Sequence, residues 1–246
     1  FTRARQGAMT ENFRRNFIPL IVATALFMEN LDATVLATSL PAMAKDLGSN
    51  PIHLKLALTT YLLALAVFIP ASGWMADRFG AKNVFRAAMV VFAAGSIACG
   101  VSSDLGSLVA SRILQGIGGA MMTPVGRLIV LRTVPRTDII NAIAWLTVPA
   151  LVGPVLGPPL GGFLTTYFNW RWIFWINIPV AVVGLFLITR FIPDTREESS
   201  STFDLRGFLL IGPGLSLFLT GVTLMGLGLL ERDIIILITL SGAVLL

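Results

Sequence analysis

The sequence predicts an all-α integral membrane protein, and three observations carry that expectation. The first is composition. Of 246 residues, 55% are hydrophobic and only 13% charged, with a mean hydropathy of +0.83; a soluble domain carries about 25% charged residues. Too few polar side chains are present to cover a globule in water, so the bilayer is the solvent this chain suits. The second is the length of the uncharged runs, several of which approach or exceed the ~20 residues that cross a hydrocarbon core. The third is the alternation of basic residues between successive connectors.

The runs can be taken in order. The first starts at Phe17 and continues past Glu29 and Asp32 to Pro41. Leu56 to Ala76 gives 21 residues without a charge, and Ala87 to Ser103 gives 17. Leu105 to Leu131 is apolar apart from Arg112 and Arg127. Ile139 to Trp170 gives 32, enough for a helix and a turn; Trp172 to Thr189 gives 18 and Gly207 to Leu230 gives 24. The last, Ile234 to Leu246, gives 13. The expectation is seven full helices and an eighth that is cut short. Glu29 and Asp32 interrupt the first run and further spans follow, which argues against a cleaved signal peptide.

With the N-terminal side called inside, the inside segments hold 13 of the 18 Lys and Arg residues, and the outside segments hold only Lys45, Lys55, Arg171 and Arg232. The positive-inside rule then places the N-terminus in the cytoplasm. The net charge of +5 is therefore read as membrane topology, and no nucleic-acid-binding motif accompanies it. The lone Cys99 allows no intrachain disulfide and the lone His53 no histidine metal site, so no metal is expected. No catalytic residue set or phosphate loop is visible, so neither an enzyme nor an ATP-driven pump is expected.

The domain reading follows from these runs. Residues 1–16 form a cytoplasmic N-terminal segment, of which 1–8, ahead of Met9, read as a non-native leader. Residues 17–192 form a six-helix bundle. The polar, Ser-rich stretch 193–206 reads as a cytoplasmic linker. Residues 207–246 hold the seventh helix and the truncated eighth. Gly212-Pro213-Gly214 is expected to break the seventh. Because the last apolar run stops short of a full span, the chain reads as a fragment of a longer protein.

Two charges lie at membrane depth, where charges are expensive and usually functional. Asp32 precedes Pro41, taken as the outer end of the first helix, and Arg112 lies inside the fourth. The two helices run antiparallel and bring opposite charges to nearly the same level, so the pair is expected to meet directly or through water. A carboxylate that alternates between a partnered and an unpartnered surrounding can take up and release a proton; a static ion pair that fixes packing is the alternative. Glu29 lies three residues before Asp32 on the same helical face. It reads as a site for a cationic substrate, a second proton site, or a water-facing acid. Gln115, one turn beyond Arg112, is a candidate for the same cavity, with Thr34, Met28, Met121 and Met122 as lining or simply as packing.

In the fifth run, Gly153, Gly157 and Gly161 recur every four residues, a stripe that lets helices approach closely in lipid. Pro149, Pro154, Pro158 and Pro159 each lack an N–H and can bend that helix. A bendable helix with a smooth face suits a rocking interface; static packing is the alternative. Between the second and third runs, GWMADRFGAKN (Gly73 to Asn83) places a charged turn on the inside. Gly80 can take a positive φ there, and Asp77 can cap or pair at a helix end.

That turn resembles the G-x-L-A-D-R-x-G-R-K loop of the major facilitator superfamily: Gly73, Ala76, Asp77, Arg78, Gly80 and Lys82 match, while Ala81 replaces a basic residue. LDATVLATSLP (Leu31 to Pro41), LVASRILQGIGGA (Leu108 to Ala120) and GPVLGPPLGG (Gly153 to Gly162) follow in the family's order. The first resembles the signature of its drug:proton antiporters, with Ala37 where Asn is usual and Ser39 where Ala is usual; the second resembles the family's helix 4 pattern and the third its antiporter motif. NWRWIFWINIPV (Asn169 to Val180) and FDLRGFLL (Phe203 to Leu210) resemble the 14-helix branch. The resemblance implies a major-facilitator-type N-terminal six-helix bundle and a cytoplasmic gate latch at Asp77 and Arg78. It also implies an antiporter helix carrying Gly153, Pro154, Gly157, Pro158, Gly161 and Gly162. The function it implies is proton-coupled export of lipophilic, often cationic drugs across a bacterial inner membrane, with the proton gradient as energy source and no cofactor. Its partners would be a small-molecule substrate, the proton, the lipid bilayer and the missing C-terminal half. Export of an organic anion or metabolite, with Arg112 meeting the substrate, is the close rival. An uncoupled channel or scaffold is the more distant one.

Overall fold

A computed structural model describes residues 2–193, 204–227 and 231–245. Its elements are α1 (Thr2–Asp46), α2 (Pro51–Phe68), α3 (Ser72–Phe79), α4 (Ala81–Gly100), α5 (Leu105–Thr133), α6 (Ile139–Tyr167), α7 (Trp172–Trp175), α8 (Asn177–Phe191), α9 (Leu205–Leu227) and α10 (Arg232–Leu245). Single 3-10 turns join α2 to α3 at Ile69–Ala71 and precede α6 at Arg136–Asp138. Among the described residues, seven helices are long and apolar enough to cross a membrane, in the order expected from the uncharged runs. All of the described regular structure is helical, as lipid demands of any segment that must satisfy its own backbone.

Local chemistry sets the ends. Asn50 accepts a hydrogen bond from the Ile52 amide at 2.9 Å and caps α2, with Pro51 at the first helical position. Asp104 and Ser107 form a reciprocal capping box at the start of α5. The Ser107 amide, donating at 2.9 Å, holds the Asp104 carboxyl below the usual carboxylate range. Gly80, at φ 87°, makes the turn from α3 to α4, a conformation a side chain would strain. Asp204 accepts from the Gly207 amide at 2.9 Å and starts α9.

Several boundaries differ from the sequence reading. The first span does not end at Pro41; α1 continues to Asp46, which leaves Asp32 near the middle of the span Phe17–Asp46. Pro213 does not break the seventh span either, since α9 runs through it. A proline removes one ladder bond, and packing within a membrane helix tolerates that loss. The same holds for the four prolines of α6, which is one helix from Ile139 to Tyr167. In the sixth span Pro179 lacks the N–H that would bond to the Trp175 carbonyl; α7 and α8 are separated only by Ile176, whose φ of −63° and ψ of −24° stay helical, and Trp172–Phe191 remains one span. Most of the linker assigned to 193–206, residues 194–203, lies outside the described residues; Leu205 and Arg206 already belong to α9.

α6 lies along α1, α4 along α5, and α2 on the opposite side of α5; α9 rests on α2 and pairs with α10. Two apolar cores result. One contains Val22, Leu26, Phe85, Phe92, Met122 and Ile129 and reaches the α3–α4 turn. The other contains Leu36, Leu54, Leu108, Trp170 and Phe174 and reaches the opposite end. Between them lies a layer of buried polar side chains: Asp32, Ser96, Arg112, Gln115 and Asn177. Two glycine contacts hold α4 and α5 together around that layer. A Cβ on Gly95 would stand 2.6 Å from the Gln115 backbone, and one on Gly118 would stand 2.5 Å from the Phe92 nitrogen.

Candidate functional site

The polar layer draws on five helices. α1 brings Asp32, α5 brings Arg112 and Gln115, α4 brings Ser96, α8 brings Asn177, and α2 brings Tyr61 and the Ala57 carbonyl. Arg112 is 0% exposed and Asp32 3%. The Arg112 Nη1 donates to Asp32 Oδ2 at 2.5 Å and to Gln115 Oε1 at 2.5 Å. Its Nε donates to the Ala57 carbonyl at 3.4 Å, and the guanidinium lies 4.2 Å from the Tyr61 ring centroid. The Gln115 Nε2 donates to Asp32 Oδ1 at 2.9 Å and to Ser96 Oγ at 2.7 Å. The Asn177 Nδ2 donates to the same Asp32 oxygen at 2.8 Å and to Ser96 Oγ at 3.2 Å.

Asp32 thus accepts hydrogen bonds from three side chains, one of them the guanidinium with which it forms an ion pair. Burial makes the pair interdependent, because either charge left alone at this depth has no solvent to stabilise it. The sequence placed Asp32, Arg112 and Gln115 at one level. It did not single out Ser96, Asn177 or Tyr61. The available signal was that each is a polar residue inside an otherwise apolar run, and Asn177 follows directly on the Trp- and Phe-rich start of the sixth span.

The other candidates separate. Glu29, one turn from Asp32, is half-buried and accepts from Thr123 Oγ1 at 2.9 Å, a second polar contact between α1 and α5. Thr34 does not join the layer. Its hydroxyl donates to the Asn30 and Leu31 carbonyls of its own helix, and its side chain abuts Gly157 on α6. Thr34 is two residues from Asp32, about 200° around the helix, so the two face opposite ways. Met28, Met121 and Met122 are buried in the apolar core on the side of the α3–α4 turn. Met121 also borders a groove of about 390 Å³ lined by Phe68, Met75, Phe79, Val91 and Ile117.

At the α3–α4 turn, the Arg132 Nη2 donates to Asp77 Oδ1 at 2.6 Å, tying α3 to the end of α5. Lys82 Nζ donates to the Thr189 carbonyl at 3.0 Å in the last turn of α8, where a cation suits the helix dipole. Arg78 and Gly73 are exposed, and a Cβ on Gly73 would meet nothing within 4 Å. Of the two residues expected to form a latch, Asp77 is ion-paired to Arg132 and Arg78 lies exposed on the same turn. The stripe Gly153, Gly157 and Gly161 is buried against α1, whereas Gly162 faces open space. Pro154 and Pro158 are exposed on α6.

The opposite end carries a clasp that the sequence did not suggest. Arg171 Nη1 donates to Asp46 Oδ2 at 2.5 Å, Arg171 Nη2 donates to the Ser102 carbonyl at 3.0 Å, and Trp170 Nε1 donates to Asp46 Oδ2 at 3.0 Å. It joins the ends of α1, α4 and α6. Both charged side chains are partly exposed, so Asp46→Asn is expected to lower stability by less than about 1 kcal/mol, read as a small loss in thermal midpoint. A loss as large as that of a buried pair would show that the clasp is stronger than its exposure implies.

Residues 22–246 match the model of the Major Facilitator Superfamily. The chain is 49% identical over 210 residues to the protein named multidrug resistance protein MdtD of Salmonella dublin, covering 84% of this chain and 44% of that protein. It is 48% identical over 229 residues to the MdtD of Klebsiella pneumoniae (strain 342), covering 92% of this chain and 48% of that one. The chain therefore spans about half the length of the curated relatives it matches. The human organic anion transporter MFSD10 superposes with a TM-score of 0.63 at 19% identity, over 83% of this chain and 54% of its own, which speaks to the fold alone. A buried Asp–Arg layer across a six-span bundle, the glycine seam and this family match agree: the chain belongs to the Major Facilitator Superfamily.

Proposed function

We propose that this chain is half of a proton-coupled secondary exporter of lipophilic, often cationic compounds, working by alternating access in a bacterial inner membrane with its N-terminus in the cytoplasm. The observation that carries the reading is the Asp32 carboxylate, buried at mid-span against Arg112 with donors on both oxygens. Binding of a proton there weakens the pull on Arg112 and Gln115. A rearrangement of α1 against α5 on protonation is the movement that alternating access needs. Glu29, half-buried beside Thr123, supplies a second acid for a cationic substrate. Arg112 is fully buried, with Nη1 on Asp32 and Gln115 and Nε on the Ala57 carbonyl; Nη2 has no partner among the described residues, so burial alone stands between it and an organic anion. The names of the relatives support a multidrug substrate range. The partners are the small molecule, the proton, the bilayer and the other half of the transporter; the proton gradient supplies the energy and no cofactor takes part.

The test is substrate-evoked proton release in vesicles containing the full-length protein, across lipophilic cations and organic acids. Release by cations is expected, and its loss by at least tenfold in Asp32→Asn. Coupled transport that survives Asp32→Asn would overturn the role of Asp32. Release by acids alone would replace drug export with metabolite export.

A further inference from the structure

Resting on the reading of Asp32 as the proton carrier, we propose that Asn177, backed by Ser96, is a positioning residue that sets the pH at which Asp32 releases its proton. The three donors to Asp32 are not equivalent. Arg112 can only donate. Gln115 is locked in one orientation, because its Oε1 takes the Arg112 Nη1 hydrogen bond and leaves Nε2 to face Asp32 and Ser96. Asn177 is held differently. Both of its hydrogen bonds are donated by Nδ2, and among the described residues no donor is bonded to its Oδ1.

A half-rotation of the Asn177 amide would therefore offer an acceptor where a donor now stands, at no loss to a locked neighbour. The ionised Asp32 needs the donor, and the protonated Asp32 needs an acceptor for its O–H. Ser96 Oγ, shared by Gln115 and Asn177, has the same double capacity. Asn177 is buried and is the first residue of α8, two residues before Pro179, whose missing N–H removes one bond from the ladder of the sixth span. The side chain able to answer a change at Asp32 therefore sits where its helix is one bond short. The titratable groups that act on Asp32 are Arg112 from α5, Glu29 from its own helix, Tyr61 from α2 and Cys99 from α4. α8 contributes the neutral amide. The proton binds a carboxylate oxygen and leaves to water, so no other reactant is involved.

The experiment is an infrared difference titration of the full-length protein in lipid nanodiscs, following the carboxyl band that Asp32→Asn removes. Removing a donor to the ionised form makes the acid hold its proton to higher pH. Asn177→Leu is expected to raise the midpoint by about one pH unit, a tenfold change in proton affinity. Ser96→Ala, a change small enough to keep the fold, should move it less and in the same direction. An unchanged midpoint in folded Asn177→Leu and Ser96→Ala overturns the inference, even if transport slows, because packing alone would then explain the slowing. The absence of any Asp32-dependent band that titrates in the wild type also overturns it. A shifted midpoint in a protein that shows no substrate-evoked proton release would sustain the inference and sink the coupling reading.

Discussion

Arg112→Leu is expected to destabilise the full-length protein by about 3–5 kcal/mol, the usual effect of stranding one member of a buried ion pair. Arg112 is completely buried, and its Nη1 serves both Asp32 and Gln115. Its removal frees Gln115 Oε1 as well as leaving Asp32 without a cation. Gln115 and Asn177 still donate to Asp32, so the carboxylate stays hydrogen-bonded while its charge is uncompensated. The double variant Asp32→Asn with Arg112→Leu removes both charges and should recover much of the loss. Thermal midpoints of the four proteins in one detergent form a double-mutant cycle. A loss in the double variant equal to the sum of the two single losses would show that the pair has no mutual energy. Transport separates the roles further: all three variants are expected to lose proton coupling, whatever their stability.

The layer of spans was legible because lipid imposes a simple rule: uncharged runs of the right length become helices, and all seven appear. That Asp32 and Arg112 lie deep was legible for the same reason, since both fall well inside long apolar runs; a count from Pro41 puts Asp32 too near one end, because α1 continues to Asp46. Rotation about a helix was less legible. Thr34 is near Asp32 in sequence, yet it faces α6, and only the position of that neighbouring helix decides what lines a cavity. Asn177 and Ser96 carry no charge, so nothing in composition marks them; they matter because α8 and α4 pass beside Asp32. Pro41 and Pro213 misled for a physical reason. A proline removes one ladder bond, but a membrane span that unravelled would leave many more backbone groups unpaired in lipid, and α1 and α9 run on through these two exposed prolines.

Gly161→Leu is expected to have the second large effect, and Gly162→Leu almost none, although the two residues are adjacent in the same motif. A Cβ at Gly161 would stand 2.8 Å from the Val35 carbonyl oxygen, which is backbone and cannot turn aside. At Gly157 it would stand 2.8 Å from the Thr34 Cβ, and at Gly153 3.0 Å from the Leu31 nitrogen. Each contact is with α1, so a side chain on the stripe must push α6 away along the seam. Overpacking of this kind lowers stability by about 1–3 kcal/mol, and more for a side chain as large as leucine. Gly162 meets nothing within 4 Å, and replacing a helical glycine with a better helix former there should be neutral or slightly stabilising. Thermal midpoints of the full-length variants test the contrast, and equal losses at the two positions would contradict the seam. Gly161→Ala distinguishes the two readings of the stripe. Lower stability with transport per folded molecule unchanged would mean that α1 and α6 move together as one unit. Transport lost with stability intact would mean that the seam itself slides during the cycle, and the burial of the stripe within one bundle favours the first outcome.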